Sequence, residues 1–364
     1  MALNSHVVVI GGGVTGLTSA CLLAEAGFKL TIVAKHFPGD RSLEFTSPWG
    51  GAQWRTHAKR DEAMSGWDLE TYEYWVKLMA EEERAGEKGK AGVKMYDSIV
   101  YWDEAITEDL WWTTHVQDFR MLDSNDPHII ELNQTKSEKQ PGVQHAASYR
   151  AMTANVDMYL AYLLNKAVHL GCKTVRSTLP IDDGLDIALK AAEKAAGSPV
   201  DCFVNATGIN AAKLCNDTAM YPIRGQTVLV KGEANAIRTR LGADYISYCV
   251  PRADSGTSIL GGTKQAGNWS GEVDEQTTKE ILERCAPLLP ELRTAADGGF
   301  DVVSVQCGLR PGRKGGPRVE REVLADGVKV VHAYGHAGAG YQNSIGSARA
   351  TVKLVQESLG AVEA

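Results

Sequence analysis

Residues 7–34 read VVVIGGGVTGLTSACLLAEAGFKLTIVA, and the fold turns on how they are read. Val7-Val8-Val9-Ile10 is a β-branched run of the kind expected in a strand buried on both faces of a parallel sheet. Gly11, Gly13 and Gly16 then form a GxGxxG turn that also contains Val14 and Thr15. LTSACLLAEAG follows with helical spacing and Gly27 as its stop, and LTIVA at 30–34 is a second strand. A strand, a glycine turn and a helix in this order suit a dinucleotide. Gly11 permits the tight turn, Gly13 admits a pyrophosphate to the backbone, and Gly16 lets the helix pack close. The helix N-terminus adds free N–H groups and the positive end of its dipole. Residues 7–24 carry no charge and are long enough to imitate a membrane span. Three consecutive glycines would break such a helix, and no basic segment precedes it.

One position departs from the dinucleotide pattern. The second strand should end in Asp or Glu to hold the adenosine ribose, and here it ends Ala34-Lys35-His36. A lysine there suits NADP, so nicotinamide and flavin both fit this segment.

The whole chain sets wider limits. Its 364 residues allow two domains, and a net charge of −7 argues against nucleic acid or an anionic membrane as the main partner. Seven cysteines are scattered and never spaced as CxxC, which excludes a disulfide framework or zinc site and favours a reducing compartment. A single internal pair stays open.

Further along, 65–90 predicts an amphipathic helix fading into a charged loop, and 156–171 a second helix. KTVRSTL, LDIALKAAEKA and VDCFVNATG read as strand, helix and strand, the last ending at Gly208. PIRGQTVLVKG, YISYCVPRAD and TSILGGTK are short alternating strands of a different, antiparallel sheet. The chain is therefore expected to leave the dinucleotide domain and return. That predicts an α/β fold of two interleaved units: 1–56, 147–221 and 300–364 for the dinucleotide, 57–146 and 222–299 for the substrate. QCGLRPGRKGGPRVE, 306–320, reads as a basic loop except at Arg310. Held between Gly308-Leu309 and Pro311, that guanidinium suits bidentate capture of a carboxylate.

VVHAYGHAGAGYQNSIGSA, 330–348, resembles the signature of the D-amino-acid oxidase family, which includes the D-aspartate oxidases. SPWGGAQW, VNATG, PIRGQTVLVK, YCVPR, GGT, GLRP and GGPR are similar to the same family in the same order, over nearly the whole chain. The resemblance implies FAD in a cleft between a Rossmann-like domain and a substrate domain built on an antiparallel sheet. It implies that Arg310 and Tyr248 hold the substrate α-carboxylate and that Gly338 offers its carbonyl to the α-amino group. Besides the glycine turn, the flavin would meet Ala34, Lys35, Thr46, Ser47, Gly51, Ala52, Gln53, Trp54 and Gly208. From the signature it would meet Ala337, Gly340, Tyr341 and Gln342, while His332 and His336 would be structural. The implied reaction moves a hydride from substrate Cα to flavin N5. The imino acid hydrolyses to a 2-oxo acid and ammonia, and dioxygen is reduced to hydrogen peroxide. The implied partners are a D-amino acid and O2, with a homodimer possible and no metal.

Three departures shape the expectations. Lys264 stands after GGT where relatives place a second tyrosine, for which Tyr245 is the substitute. Arg238, Arg240, Arg55, His57 and Lys264 are cationic candidates that keep D-aspartate and D-glutamate open beside neutral D-amino acids. The family implies a peroxisomal address, but the chain ends Val362-Glu363-Ala364 without the import tripeptide; a trimmed C-terminus and a cytoplasmic location both stay open.

Overall fold

A computed structural model describes residues 5–136 and 140–360, so the C-terminal tripeptide lies outside the described residues. The chain opens with β1 (His6–Ile10), α1 (Val14–Glu25) and β2 (Lys29–Ala34). A long loop then leads to α2 (Ala63–Ala85), β3 (Val93–Trp102), β4 (Gln117–Met121), α3 (Pro127–Gln134) and β5 (His145–Ala154). Next come α4 (Val156–His169), β6 (Lys173–Arg176), α5 (Leu185–Ala196), β7 (Cys202–Asn205) and the single turn α6 (Ala211–Leu214). The central stretch comprises β8 (Met220–Lys231), β9 (Ala236–Leu241), β10 (Ile246–Arg252), β11 (Thr257–Gly261), β12 (Gln265–Ala266) and α7 (Glu275–Cys285). β13 (Val302–Arg313), β14 (Arg318–Val323), β15 (Lys329–Tyr334) and α8 (Ser344–Ser358) complete it.

Two sheets result. The first runs β14-β15-β7-β1-β2-β6 and is parallel except for β14, which pairs antiparallel with β15. Its central strand β1 is buried at every position, as a β-branched strand with helices on both faces must be. The stretch that imitates a membrane span is thus divided between β1, the glycine turn and α1. No helix among the described residues is long and apolar enough to cross a membrane.

The second sheet runs β12-β8-β11-β10-β9-β3-β5-β4, with β13 also on β8. Its pairings among the described residues are antiparallel apart from β3 with β9. Strand membership departs from the expected division of the chain at two places. β5 and β13, placed by sequence in the dinucleotide segments 147–221 and 300–364, pair within the second sheet. The basic stretch at 306–320 is correspondingly strand and hairpin rather than loop. β13 lies along β8 from Val302 to Arg313, and this pairing satisfies a backbone whose glycines and charges hide any strand pattern. All seven cysteines are free.

Candidate active site

A cavity of about 900 Å³ is walled by the glycine turn, the loop before α2, strands of the second sheet and the turn before α8. At its dinucleotide end, Gly11, Gly13, Val14 and Thr15 line the wall together with Ala34, Lys35 and Gly208. Gly11 has φ +126°, and a Cβ there would collide with the Ala206 carbonyl. Gly16 does not reach the cavity; it faces the Gly11 carbonyl, where it lets α1 approach β1. The Ser47 hydroxyl accepts the Val14 amide at 3.0 Å, which ties the loop to the first turn of α1.

The acid missing from the end of β2 comes from elsewhere. Glu44 lines the cavity and accepts hydrogen bonds from Lys35, from His36 Nε2 at 2.9 Å and from Asn210 Nδ2 at 3.4 Å. Burial would raise its pKa, but the bonds from His36 and Lys35 bring it down to about 2. Lys35 is engaged by this carboxylate, which removes the free cation that an NADP phosphate would need.

The loop carrying SPWGGAQWRTH is laid along β5. Trp54 N donates to Met152 O at 2.8 Å, Ala154 N donates to Ala52 O at 2.8 Å, and Gln53 bridges to Thr153. Extended pairing alternates the side chains. Trp54 therefore points into the core, 1% exposed, packed on Tyr72 and donating its indole N–H to Asp68 O at 2.7 Å. Gln53 and Arg55 face the cavity, alongside Thr46, Ser47, Gly51 and Ala52. Trp54, expected among the residues that meet the flavin, is therefore not on the cavity wall, and Trp49 is the indole found there.

At the substrate end the structure brings Arg310, Tyr248 and Gly338 onto one cavity. Arg310 stands on β13 opposite Ile223, and its Nη1 donates to the Thr263 carbonyl at 2.9 Å. A Cβ on Gly338 would touch Arg310 Cδ at 3.6 Å, so the signature turn flanks the arginine stem. Ala337, with φ +48°, donates its amide to Pro311 O at 2.8 Å and fixes that turn against β13.

The turn itself presents backbone. The amides of Gly338, Gly340, Tyr341 and Gln342, and the Gly338 carbonyl, meet no protein partner among the described residues. They open on the cavity just before α8, an arrangement suited to developing negative charge. The Tyr341 hydroxyl donates to Ser47 O at 2.8 Å and closes the turn onto the loop. The Gln342 amide donates to Asp68 Oδ2 at 3.1 Å. Burial raises the Asp68 pKa to about 7, against the opposing hydrogen bond from Gln342. His336 also lines the cavity. Burial holds its ring neutral, with a pKa of about 4; Asn343 lies near, yet no well-formed hydrogen bond joins them. His332 is buried and bonds to Glu322 at 2.9 Å, outside the cavity.

Three other candidates fall away from the site. Arg238 is buried against Glu291 at 2.6 Å and Asn235 at 2.9 Å. Arg240 makes an ion pair with Asp103 at 2.9 Å in which both side chains are sealed from solvent. Tyr245 donates to that same aspartate instead of standing in for a second active-site tyrosine. A buried cation needs a carboxylate, and each arginine found one across the fold. Arg55, His57 and Lys264 do line the cavity. The sequence reading missed Glu44, Asp68 and the Thr263 carbonyl. A search for the first acid after β2 beyond Asp40 would have flagged Glu44.

These residues fit a flavin dinucleotide: a glycine turn at a helix start, an acid beside the end of β2 and unpartnered amides at the far end. A family model described as FAD dependent oxidoreductase matches residues 6–354. A D-amino-acid oxidase of Fusarium vanettenii is 33% identical over 98% of this chain and 98% of its own. A D-aspartate oxidase of Talaromyces thermophilus is 30% identical over 96% of this chain and 95% of its own. In fold the chain is similar to glycine oxidase from Bacillus cereus, with a TM-score of 0.70 and 20% identity over 99% of this chain and 96% of that one. With the family model covering nearly its whole length, the chain belongs to the DAO family of FAD-dependent oxidoreductases.

Proposed function

We propose that the protein oxidises D-amino acids to imino acids, which water converts to 2-oxo acids and ammonia. The observation that carries this reading is the placing of one guanidinium, Arg310, beside the exposed backbone of Gly338 in the cavity that also holds the dinucleotide motif. When bound, FAD supplies the two-electron acceptor for the substrate hydride and passes those electrons to dioxygen, giving hydrogen peroxide.

The chain's own part is positioning. Arg310 takes the α-carboxylate as a bidentate pair, and its anchor on Thr263 O keeps the guanidinium from turning. Tyr248, on β10 within the same wall, adds a hydroxyl to that carboxylate. The Gly338 carbonyl has a free acceptor and takes an N–H of the α-amino group, which enters as the neutral amine. Two anchors and the cavity wall then fix the direction of the Cα–H bond. No side chain has to remove a proton from Cα, because the hydrogen leaves with its electron pair. His336 stays neutral and unpartnered, which accords with a structural role.

The fold by itself does not choose between mirror-image substrates. The test is anaerobic absorbance of the holoenzyme with D-alanine, D-phenylalanine, D-aspartate and their L-forms. Bleaching of the visible flavin band by D-forms alone is the expected result. Bleaching by L-forms, or by none of the six, overturns the proposal.

A further inference from the structure

The cavity holds more positive charge than the protein around it neutralises. Lys35 is paired with Glu44, Arg313 with Asp217 and Lys213 with Asp182. Arg310, Arg55 and Lys264 line the same cavity and form no ion pair among the described residues. Arg310 is assigned to the α-carboxylate, which leaves Arg55 and Lys264 without a partner.

Arg55 is the informative one. It is only 6% exposed, and its Nη1 is buried without a hydrogen-bond partner. The extended pairing of its loop with β5 turns it toward the cavity, since Trp54 takes the core side. The acidic side chains on the cavity wall do not answer it. Glu44 and Asp182 are taken by lysines, and Asp68 is protonated more readily than usual because burial, not a neighbouring cation, governs it. His57, two residues further along the same loop, is exposed and also lines the cavity. Desolvation acts with the positive charges of Arg55 and Lys264, which line the same cavity, to lower its pKa and favour the neutral ring. A guanidinium so largely buried, with one nitrogen unpartnered and no counter-charge, is unfavourable unless a ligand in the cavity brings one.

We propose that Arg55, with Lys264 at the cavity mouth, forms a second anion subsite. It receives the side-chain carboxylate of an acidic D-amino acid whose α-carboxylate is held by Arg310. This inference rests on the oxidase reading and narrows it to dicarboxylic D-amino acids. Two fixed cations match a substrate that carries two carboxylates and, at the moment of oxidation, a neutral amine. His57 adds a neutral hydrogen-bonding edge to the second carboxylate.

The experiment uses the holoenzyme and two readouts. The first is kcat/KM for D-aspartate and D-glutamate against D-alanine, in the wild type, Arg55→Met and Arg55→Lys. The second is perturbation of the flavin absorbance by succinate against acetate, which reports binding without turnover. In the wild type, acidic substrates should lead D-alanine by about 10-fold or more, and succinate should bind more tightly than acetate. Arg55→Met should lower the acidic-to-neutral ratio by about 100-fold and abolish the succinate preference, with Arg55→Lys in between. A wild type reduced by neutral D-amino acids but not by D-aspartate or D-glutamate overturns the inference and leaves the oxidase standing. So does an Arg55→Met enzyme in which both substrates fall equally while the flavin reduction potential drops, because Arg55 would then serve the cofactor. A holoenzyme that no D-amino acid reduces, yet binds succinate in an Arg55-dependent way, keeps the subsite and sinks the oxidase reading. Should Arg55→Met fail to fold, the wild-type substrate ratio and the Arg55→Lys series decide alone.

Discussion

The guanidinium of Arg310 lies over the α-carbon of Gly225: a Cβ added there would stand 2.5 Å from Arg310 Cζ. β13 and β8 pair so that Gly308 faces Gly225 and Arg310 faces Ile223, and the arginine folds back across the strand at the one residue without a side chain. Gly225→Ala should therefore act as an active-site mutation although alanine brings no chemistry. The methyl displaces the guanidinium by on the order of 1 Å, which predicts a loss of about 100-fold in kcat/KM with FAD retained. Steady-state kinetics beside the flavin-to-protein absorbance ratio will check it. An unaltered kcat/KM would remove the positioning role from this contact.

Glu44 carries the next prediction. It gathers Lys35 and His36 at the end of β2 and presents the carboxylate that the dinucleotide pattern has on the strand itself. Glu44→Gln keeps the shape but releases the lysine and weakens any bond to ribose hydroxyls. FAD affinity should fall about 10-fold, or about 1.4 kcal/mol. Equilibrium dialysis of the apoprotein against FAD measures this directly, and an unchanged dissociation constant counts against the assignment.

The ion pair of Arg240 with Asp103 predicts a stability effect far from the chemistry. Both side chains are sealed from solvent, and Tyr245 donates to the same carboxylate. Asp103→Ala strands a charged guanidinium and a phenol in the interior and should cost about 3–5 kcal/mol. Replacing both charges, as Asp103→Leu with Arg240→Met, should recover most of that loss. Urea denaturation of the three proteins tests the pair, and a double variant no better than the single one would refute it.

Asp68 gives the protein a pH dependence of unusual sign. Burial raises its folded-state pKa to about 7, well above the 3.8 of a free side chain. Between those values the folded chain keeps a proton that the unfolded chain has released. Stability from this group therefore falls as pH rises through that window and levels off above about 7. Asp68→Asn removes the titration while its amide oxygen still accepts from Gln342. The variant should melt a few °C, on the order of 2–4, above wild type at about pH 8 and nearly level with it at about pH 4. A melting difference that does not vary with pH would show that Asp68 does not titrate in this range.

How much of this was legible depended on distance along the chain. Gly11, Gly13 and Gly16 declare themselves because turn, helix start and strand are neighbours in sequence, and Arg310 stood out through its constrained flanks. Arg238 and Arg240 could not be separated from Arg55 by composition: their carboxylates lie 53 and 137 residues away, and only the fold shows which cation is already answered. Trp54 was misplaced for the same reason, since pairing with a strand a hundred residues later decides which way it points. β13 was hidden by its glycines, proline and charges, and only its long register with β8 makes it a strand. The acid was sought at the end of the second strand itself, whereas the fold brings Glu44 there from a loop.

The loop laid along β5 also couples the cavity wall to the core. Trp54 and Arg55 are adjacent, and their opposite directions are one decision. Losing or gaining a single residue between Ala52 and Trp54 would exchange them, driving a cation into the hydrophobic interior and an indole into the cavity. Exchanging the residue at position 55 therefore alters the cavity wall while leaving Trp54 in the core. Altering the length of the loop alters the cavity wall and the core beneath it in the same step.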